Sequence, residues 1–318
     1  MLISFIEFLT ISMRKRRFDN GHFTSIKPDT GVIRNVFLIL LGIVFLSSCE
    51  KFKGSQEVPA YITIDSIYIT TDYALQGSAS AHITDAWVYV DGQIMGAFEF
   101  PAKFPVLANG THQVTVMAGI KKNGISATRA TYDFYAPIVY NVKLGIDSVT
   151  KLKTLKTTYA TNTNFVWRED FEGTSISLDT TTRSTVPVSL TPEGSPLSIE
   201  GLHSAIMVTD SVNDFAEAQS HNEYPIPFAP VYLELNYNVN TILTVGLILL
   251  GPSAYIQTPI VNLNVTNGKS KKIYIDLTPS LNGTYGVDHF MVYFGAFKDT
   301  GIKQGIIILD NIKVVTTK

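Results

Sequence analysis

Across residues 231–239 the chain reads "VYLELNYNV", with Leu233, Leu235 and Tyr237 at one parity and Glu234 and Asn236 at the other. A period of two sends apolar and polar side chains to opposite faces of an extended strand. Runs of this kind recur through "AYITIDSIYIT", "AHITDAWVYVD", "THQVTVMAGI" and "HFMVYFGAF". No stretch carries a convincing amphipathic helical pattern. Such a chain buries its apolar parities by stacking sheets. Aromatic residues at 11% and abundant Tyr, Thr, Val and Ile suit pleated, half-buried surfaces. Charged residues are 16% and the net charge is −2, which excludes the basic face of a nucleic-acid binder.

The strands fall into two groups. Residues 59–146 hold roughly seven short runs at hairpin spacing, with Asp91-Gly92 and Asn109-Gly110 as turn signals. They predict a first antiparallel sandwich, which resembles immunoglobulin-like modules in layout but lacks their paired cysteines. Residues 147–164 are rich in Thr and Lys with little alternation and read as a linker, or alternatively as one more strand. Residues 165–318 open with "FVWREDFEG" and close with "GIIILDNIKVV". Strand-rich ends this far apart predict a jelly roll, whose first and last strands meet. The early "DFEG" and the final "LDNIKV" resemble the opening and closing strands of jelly-roll carbohydrate-binding modules. The predicted fold class is all-β, an Ig-like sandwich followed by a jelly roll.

An apolar run over residues 36–46 ends in Leu46-Ser47-Ser48-Cys49, which holds the only cysteine. The run is too short for a spanning helix, which needs roughly 20 residues, and has the length of a signal-peptide core. The motif resembles the lipobox of bacterial lipoproteins. That resemblance implies acylation of Cys49, anchoring to the membrane, and a place in the cell envelope at the outer membrane, on its periplasmic or surface face. Residues 32–48 are then the signal peptide and 49–58 a tether. Residues 1–31 read as sequence upstream of the true start or as an extended n-region.

Catalytic motifs are missing: there is no HExxH, P-loop, GxGxxG or GxSxG. The six histidines are scattered without metal-ligand spacing. In Glu169-Asp170-Phe171-Glu172 only Asp170 and Glu172 share a face, and no later acidic cluster completes a glycosidase pair. The expectation is a non-catalytic protein that binds a polysaccharide through its second sandwich. The alternatives are a structural or assembly lipoprotein that binds another envelope protein, and an unrecognised glycoside hydrolase. The resemblance to carbohydrate-binding modules implies a structural calcium held by Asp170, Glu172, Asp310 and Asn311. Ligand contacts are expected from aromatic side chains able to stack on a sugar: Trp87 and Tyr89 on one parity of a strand, then Tyr224, Tyr255, Tyr285 and Tyr293. Asn222 and Gln257 neighbour two of these in sequence. Taken singly, each aromatic residue reads more readily as core or incidental surface than as a platform.

Overall fold

Strands fill the residues that the computed structural model describes, 58–318. Residues 1–31, the expected signal peptide 32–48 and residues 49–57 of the expected tether, Cys49 among them, lie outside the described residues. The chain is all-β, with antiparallel sheets forming sandwiches.

The first sandwich holds β1 (Ala60–Ile69), α1 (Tyr73–Gln76), β2 (Asp85–Val90), β3 (Gln93–Glu99), β4 (Ala102–Val106), β5 (Gly110–Lys121), β6 (Arg129–Thr131), β7 (Ile138–Leu144) and β8 (Val149–Thr157). A three-stranded sheet, β4-β1-β8, faces a five-stranded sheet, β3-β2-β5-β6 with β7 also on β5. Alternation builds the core: Ile62 and Ile64 of β1 meet Ala86 and Val88 of β2 and Val114 and Val116 of β5, all fully buried. Each such side chain contributes about 1.5–3 kcal/mol on burial.

The structure corrects the linker reading of residues 147–164. Val149–Thr157 is β8, which runs parallel to β1 and pairs with it from Tyr61↔Val149 to Ile69↔Thr157. The alternation was hidden by an irregularity. Thr63 pairs with Lys151 but Ile64 pairs with Lys153, and Lys153 has φ +55°. The extra residue resets the side-chain parity, so Leu152 and Leu155 no longer match a period of two.

The second sandwich holds β9 (Thr163–Glu169), β10 (Leu178–Thr180), β11 (Ser189–Leu190), β12 (Ala205–Thr209), β13 (Phe215–Ser220), β14 (Tyr224–Pro225), β15 (Tyr232–Val239), β16 (Leu243–Gly251), β17 (Ala254–Leu263), β18 (Lys271–Asp276), α2 (Thr278–Leu281), β19 (His289–Phe297) and β20 (Gly305–Thr317). One six-stranded sheet runs β11-β12-β20-β15-β18 with β9 on β20; the other runs β10-β13-β19-β16-β17 with β14 on β19. The first and last strands of this sandwich meet, with Trp167 opposite Val314. Leu233, Leu235, Leu247, Phe290, Phe294, Ile307 and Leu309 fill the space between the sheets.

The two sandwiches belong to one compact unit, Val58–Lys318. The far face of the β20-β15-β18 sheet is not wet, although its polar parity suggests that it should be. Tyr274 and Val315 join the core of the first sandwich, and Phe165 and Tyr232 pack against it. Tyr132 meets Tyr232 and Tyr274 at ring-centroid distances of 5.4 and 4.8 Å. Glu234 is fully buried there and accepts hydrogen bonds from the Tyr132 and Tyr159 hydroxyls at 2.8 and 2.9 Å. Lys272 Nζ stands 3.2 Å from Glu234 Oε2, off hydrogen-bond direction. Lys313 Nζ donates to the Ser78 carbonyl at 2.6 Å and to the Tyr159 hydroxyl at 3.2 Å. A buried carboxylate is tolerated only when partners of this kind replace water.

Candidate functional site

The four residues expected to hold calcium each have protein hydrogen-bond partners in this arrangement. Asp170 accepts from the Tyr73 hydroxyl at 2.7 Å and from the Glu172 amide. Glu172 turns to another loop and accepts from the amides of Leu202 and His203 at 2.9 and 3.0 Å. Asp310 is buried and accepts from Ser204 Oγ at 2.7 Å and the Glu200 amide at 3.0 Å. Burial pushes its carboxyl up to about 7, against the pull of those donors. Asn311 presents its amide N–H, not its oxygen, to Glu200 Oε2 at 2.8 Å. Calcium takes six to eight oxygens. Among the described residues no group of three or more His, Cys, Asp or Glu side chains is placed to hold a metal. The carboxylates instead tie loops to strand ends.

The expected aromatic residues part company. Tyr224 is core: it opens β14 opposite Phe290, packs near Trp167 at 6.2 Å, and its buried hydroxyl has no partner. It is not a surface platform. Tyr285 stands fully exposed on the loop before β19. Trp87 and Tyr89 lie half-buried on the outward face of β2, because Ala86, Val88 and Val90 take the inward parity. Trp87 Nε1 donates to Asp85 Oδ1 at 2.9 Å, and Met117 and Thr115 of β5 flank the two rings. Tyr255 and Tyr293 share one surface, the outward face of the β13-β19-β16-β17 sheet.

That surface follows from strand parity. On β19 Phe290, Val292, Phe294 and Ala296 point into the core, leaving Met291, Tyr293, Gly295 and Phe297 outward. Register then aligns Tyr293 with Gln219 of β13 and Gly246 of β16, and Ile248 with Met291 and Gln257. Tyr293, Met291 and Ile248 form a small apolar floor of their own. Gly246 makes room for the ring: a Cβ there would lie 2.5 Å from Tyr293 Cε1. Over this floor runs a chain of polar groups. Arg183 Nη1 donates to Gln257 Oε1 at 2.6 Å, Gln257 Nε2 donates to Glu217 Oε2 at 2.8 Å, and Thr181 Oγ1 donates to Glu217 Oε1 at 2.9 Å. Burial, and next to it the charge of Glu217, holds the Tyr293 phenol above its ordinary value. At one end Phe297 is 63% exposed and packs on Phe215 at 4.3 Å, with the Arg183 guanidinium 5.5 Å above the Phe215 ring. At the other end Tyr255 is 66% exposed beside Leu250. His289 to Phe297 spans about 27 Å at 3.4 Å per residue.

Gln257 was visible in sequence as a neighbour of Tyr255, but Glu217, Gln219 and Arg183 were not. The signal for the first two lies in "FAEAQS": small Ala216 and Ala218 face inward, so Phe215, Glu217 and Gln219 face out. Arg183 comes from a loop and has no periodic signature.

No protein-family model matches this chain, and no curated protein matches it. Among solved structures, the chain is similar to the N-terminal CBM22-1–CBM22-2 tandem domain of Paenibacillus barcinonensis Xyn10C, at TM-score 0.37 and 12% identity over 76% of this chain and 75% of that one. A structure concerned with the promiscuous specificity of β-sandwich carbohydrate-binding modules aligns at TM-score 0.35 and 15% identity, over 74% of this chain and 86% of that one. The enzymatically active domain of bacteriophage CBA120 tailspike protein 4 aligns at TM-score 0.32 and 14% identity, over 48% of this chain and only 19% of that one. These are likenesses of strand layout, at TM-scores too low to carry an argument about ligand.

Proposed function

We propose that the protein is a lipid-anchored, non-catalytic binding protein of the cell envelope, held at the outer membrane, that takes a glycan along the outward face of the β13-β19-β16-β17 sheet. The observation that carries this reading is the Arg183–Gln257–Glu217 chain laid over Tyr293 between exposed Phe297 and Tyr255. Sugars offer hydroxyls in fixed directions and apolar C–H faces. Pre-arranged amide, guanidinium and carboxylate groups match the hydroxyls, and exposed rings match the C–H faces. Asp170 and Glu172, which share a parity within Glu169-Asp170-Phe171-Glu172, are occupied by backbone amides and a phenol. The reading therefore assigns them no bond-cleaving role.

Calorimetry of the protein against a panel of neutral plant, algal and host oligosaccharides tests the site. Tyr255→Ala and Phe297→Ala should each weaken binding by about 1 kcal/mol, roughly five-fold, without changing the melt. Silence across the panel overturns the glycan reading. The anchor has its own check. Labelled fatty acid should enter the wild type and not Cys49→Ala, and equal labelling would remove the lipid from the proposal.

A second reading rests on the outward face of the first sandwich. There Trp87, Tyr89, Met117 and exposed Ile94 and Val139 form an apolar patch suited to another envelope protein. Pull-down from envelope extracts that depends on Trp87, with no glycan bound, would favour it.

A further inference from the structure

A groove of about 710 Å³ opens where the first sandwich meets the β17 and β18 edges of the second. Its chemistry differs from that of the outward face. Three lysines (Lys121, Lys271 and Lys272), His82, four asparagines and two serines line it, and no carboxylate does. The chain as a whole carries 27 acidic and 25 basic residues, so this bias does not come from composition.

The walls are pinned. Asn123 donates its amide to the Tyr274 carbonyl at 2.8 Å and accepts the Asp276 amide on its side chain at 2.8 Å. Lys122 Nζ donates to Asp276 at 2.8 Å, which leaves the adjacent Lys121 on the groove side without an acidic partner. Across the groove Asn236 donates to Ser80 Oγ at 2.7 Å, bridging the sandwiches. Lys121 and exposed Lys271 make no ion pair among the described residues. Lys272 lies deeper, with the buried Nζ beside Glu234 and no hydrogen bond. Ile125, Val261 and Ile273 add apolar wall between these groups.

Cations with spare valence attract an anion, the amides and hydroxyls are ready for vicinal hydroxyls, and the apolar wall suits ring C–H groups. The volume sits within the roughly 300–1,000 Å³ usual for ligand sites. We propose that this groove is a second binding site, specific for an anionic oligosaccharide that carries carboxylate or sulfate groups. It is separate from the outward face and does not depend on the glycan reading of that face.

The test is calorimetry of the whole protein at low salt with an oligogalacturonate, a sulfated galactan oligomer and a neutral galactan oligomer of equal length. The wild type should bind at least one charged oligomer. That affinity should fall several-fold between about 50 and 300 mM salt, as screening predicts. The double variant Lys121→Glu/Lys271→Glu, changed only at the rim, should lose at least ten-fold for the charged oligomer and keep the wild-type melt. Preference for the sulfated or the uronate oligomer selects the charged group within the proposal. No charged oligomer bound, charged binding unchanged in the double variant, or neutral and charged binding lost together in that variant would each overturn it. Neutral-glycan binding in the same variant reports on the outward face alone, so the two readings fail separately.

Discussion

Glu234 shows how much one residue can depend on its surroundings. By periodicity it is an ordinary solvent-facing strand residue, yet it is fully buried between two phenols and a lysine. Removing one partner of a buried pair leaves the other charged in a dry site and costs about 3–5 kcal/mol. Glu234→Ala should lose stability on that scale in urea unfolding, and adding Lys272→Met should restore part of it. A double variant no more stable than the single one would assign the loss to the orphaned phenols instead. Lys313 makes a pH prediction. Burial lowers its pKa from the ordinary 10.5 to about 8, outweighing the attraction of Glu234. Between those values the unfolded chain holds more proton than the folded one, so stability rises with pH across that window. Lys272 is depressed for the same reason and acts in the same direction. Chemical denaturation should therefore show greater stability at roughly pH 9.5 than at pH 7.5, with the increment reduced in Lys313→Met. The upper limit matters because buried Tyr132 and Tyr274 are held neutral by desolvation and oppose the trend once phenols ionise in the unfolded chain.

Among the elements, β16 and β8 depend on single backbone features. In β16 the missing side chain at Gly246 lets Tyr293 of β19 lie across the strand. A methyl group there would press on the Thr258 carbonyl and on the ring 2.5 Å away. Overpacking of this kind costs about 1–3 kcal/mol. Gly246→Ala should lower the melting temperature and also weaken neutral-glycan binding, since the moved ring displaces the Gln257 and Glu217 lattice above it. A destabilised variant with unchanged binding would separate Tyr293 from the site. In β8 the irregularity at Leu152 and Lys153 keeps Leu155 and Thr157 buried while the exposed lysines stay in water. Its edge position in the sheet explains why so polar a sequence can still be a strand.

For the whole molecule, the junction decides cooperativity. A core that counts Tyr274 and Val315 among the buried residues of the first sandwich, and a carboxylate satisfied from both sides, bind the two sandwiches into one unit. Thermal unfolding should therefore be a single transition with coincident near-UV and far-UV signals. Limited trypsin should not cut first at Lys151, Lys153 or Lys156, whose backbone is held in β8. Two transitions, or two resistant halves divided at β8, would show sandwiches that fold independently.

The sequence by itself determined the fold class and the outline of both sandwiches, because a period of two is a local property and marks each strand wherever the strand ends up. It also placed the first and last strands of the second sandwich together, through its strand-rich ends, although "DFEG" itself follows the opening strand, which stops at Glu169. It could not decide which polar face stays wet. Glu234 and Gln219 are both polar residues at the outward parity of their strands. The first is sealed by Tyr132 and Tyr159, and the second joins a face that no other sheet covers among the described residues. That difference was set by the docking of one sandwich on the other, through contacts about 75 and 102 residues apart in the chain, beyond the reach of any periodicity. The same docking brought Lys121 and Lys271 to one groove from separate sandwiches, a juxtaposition that exists only in the tertiary structure.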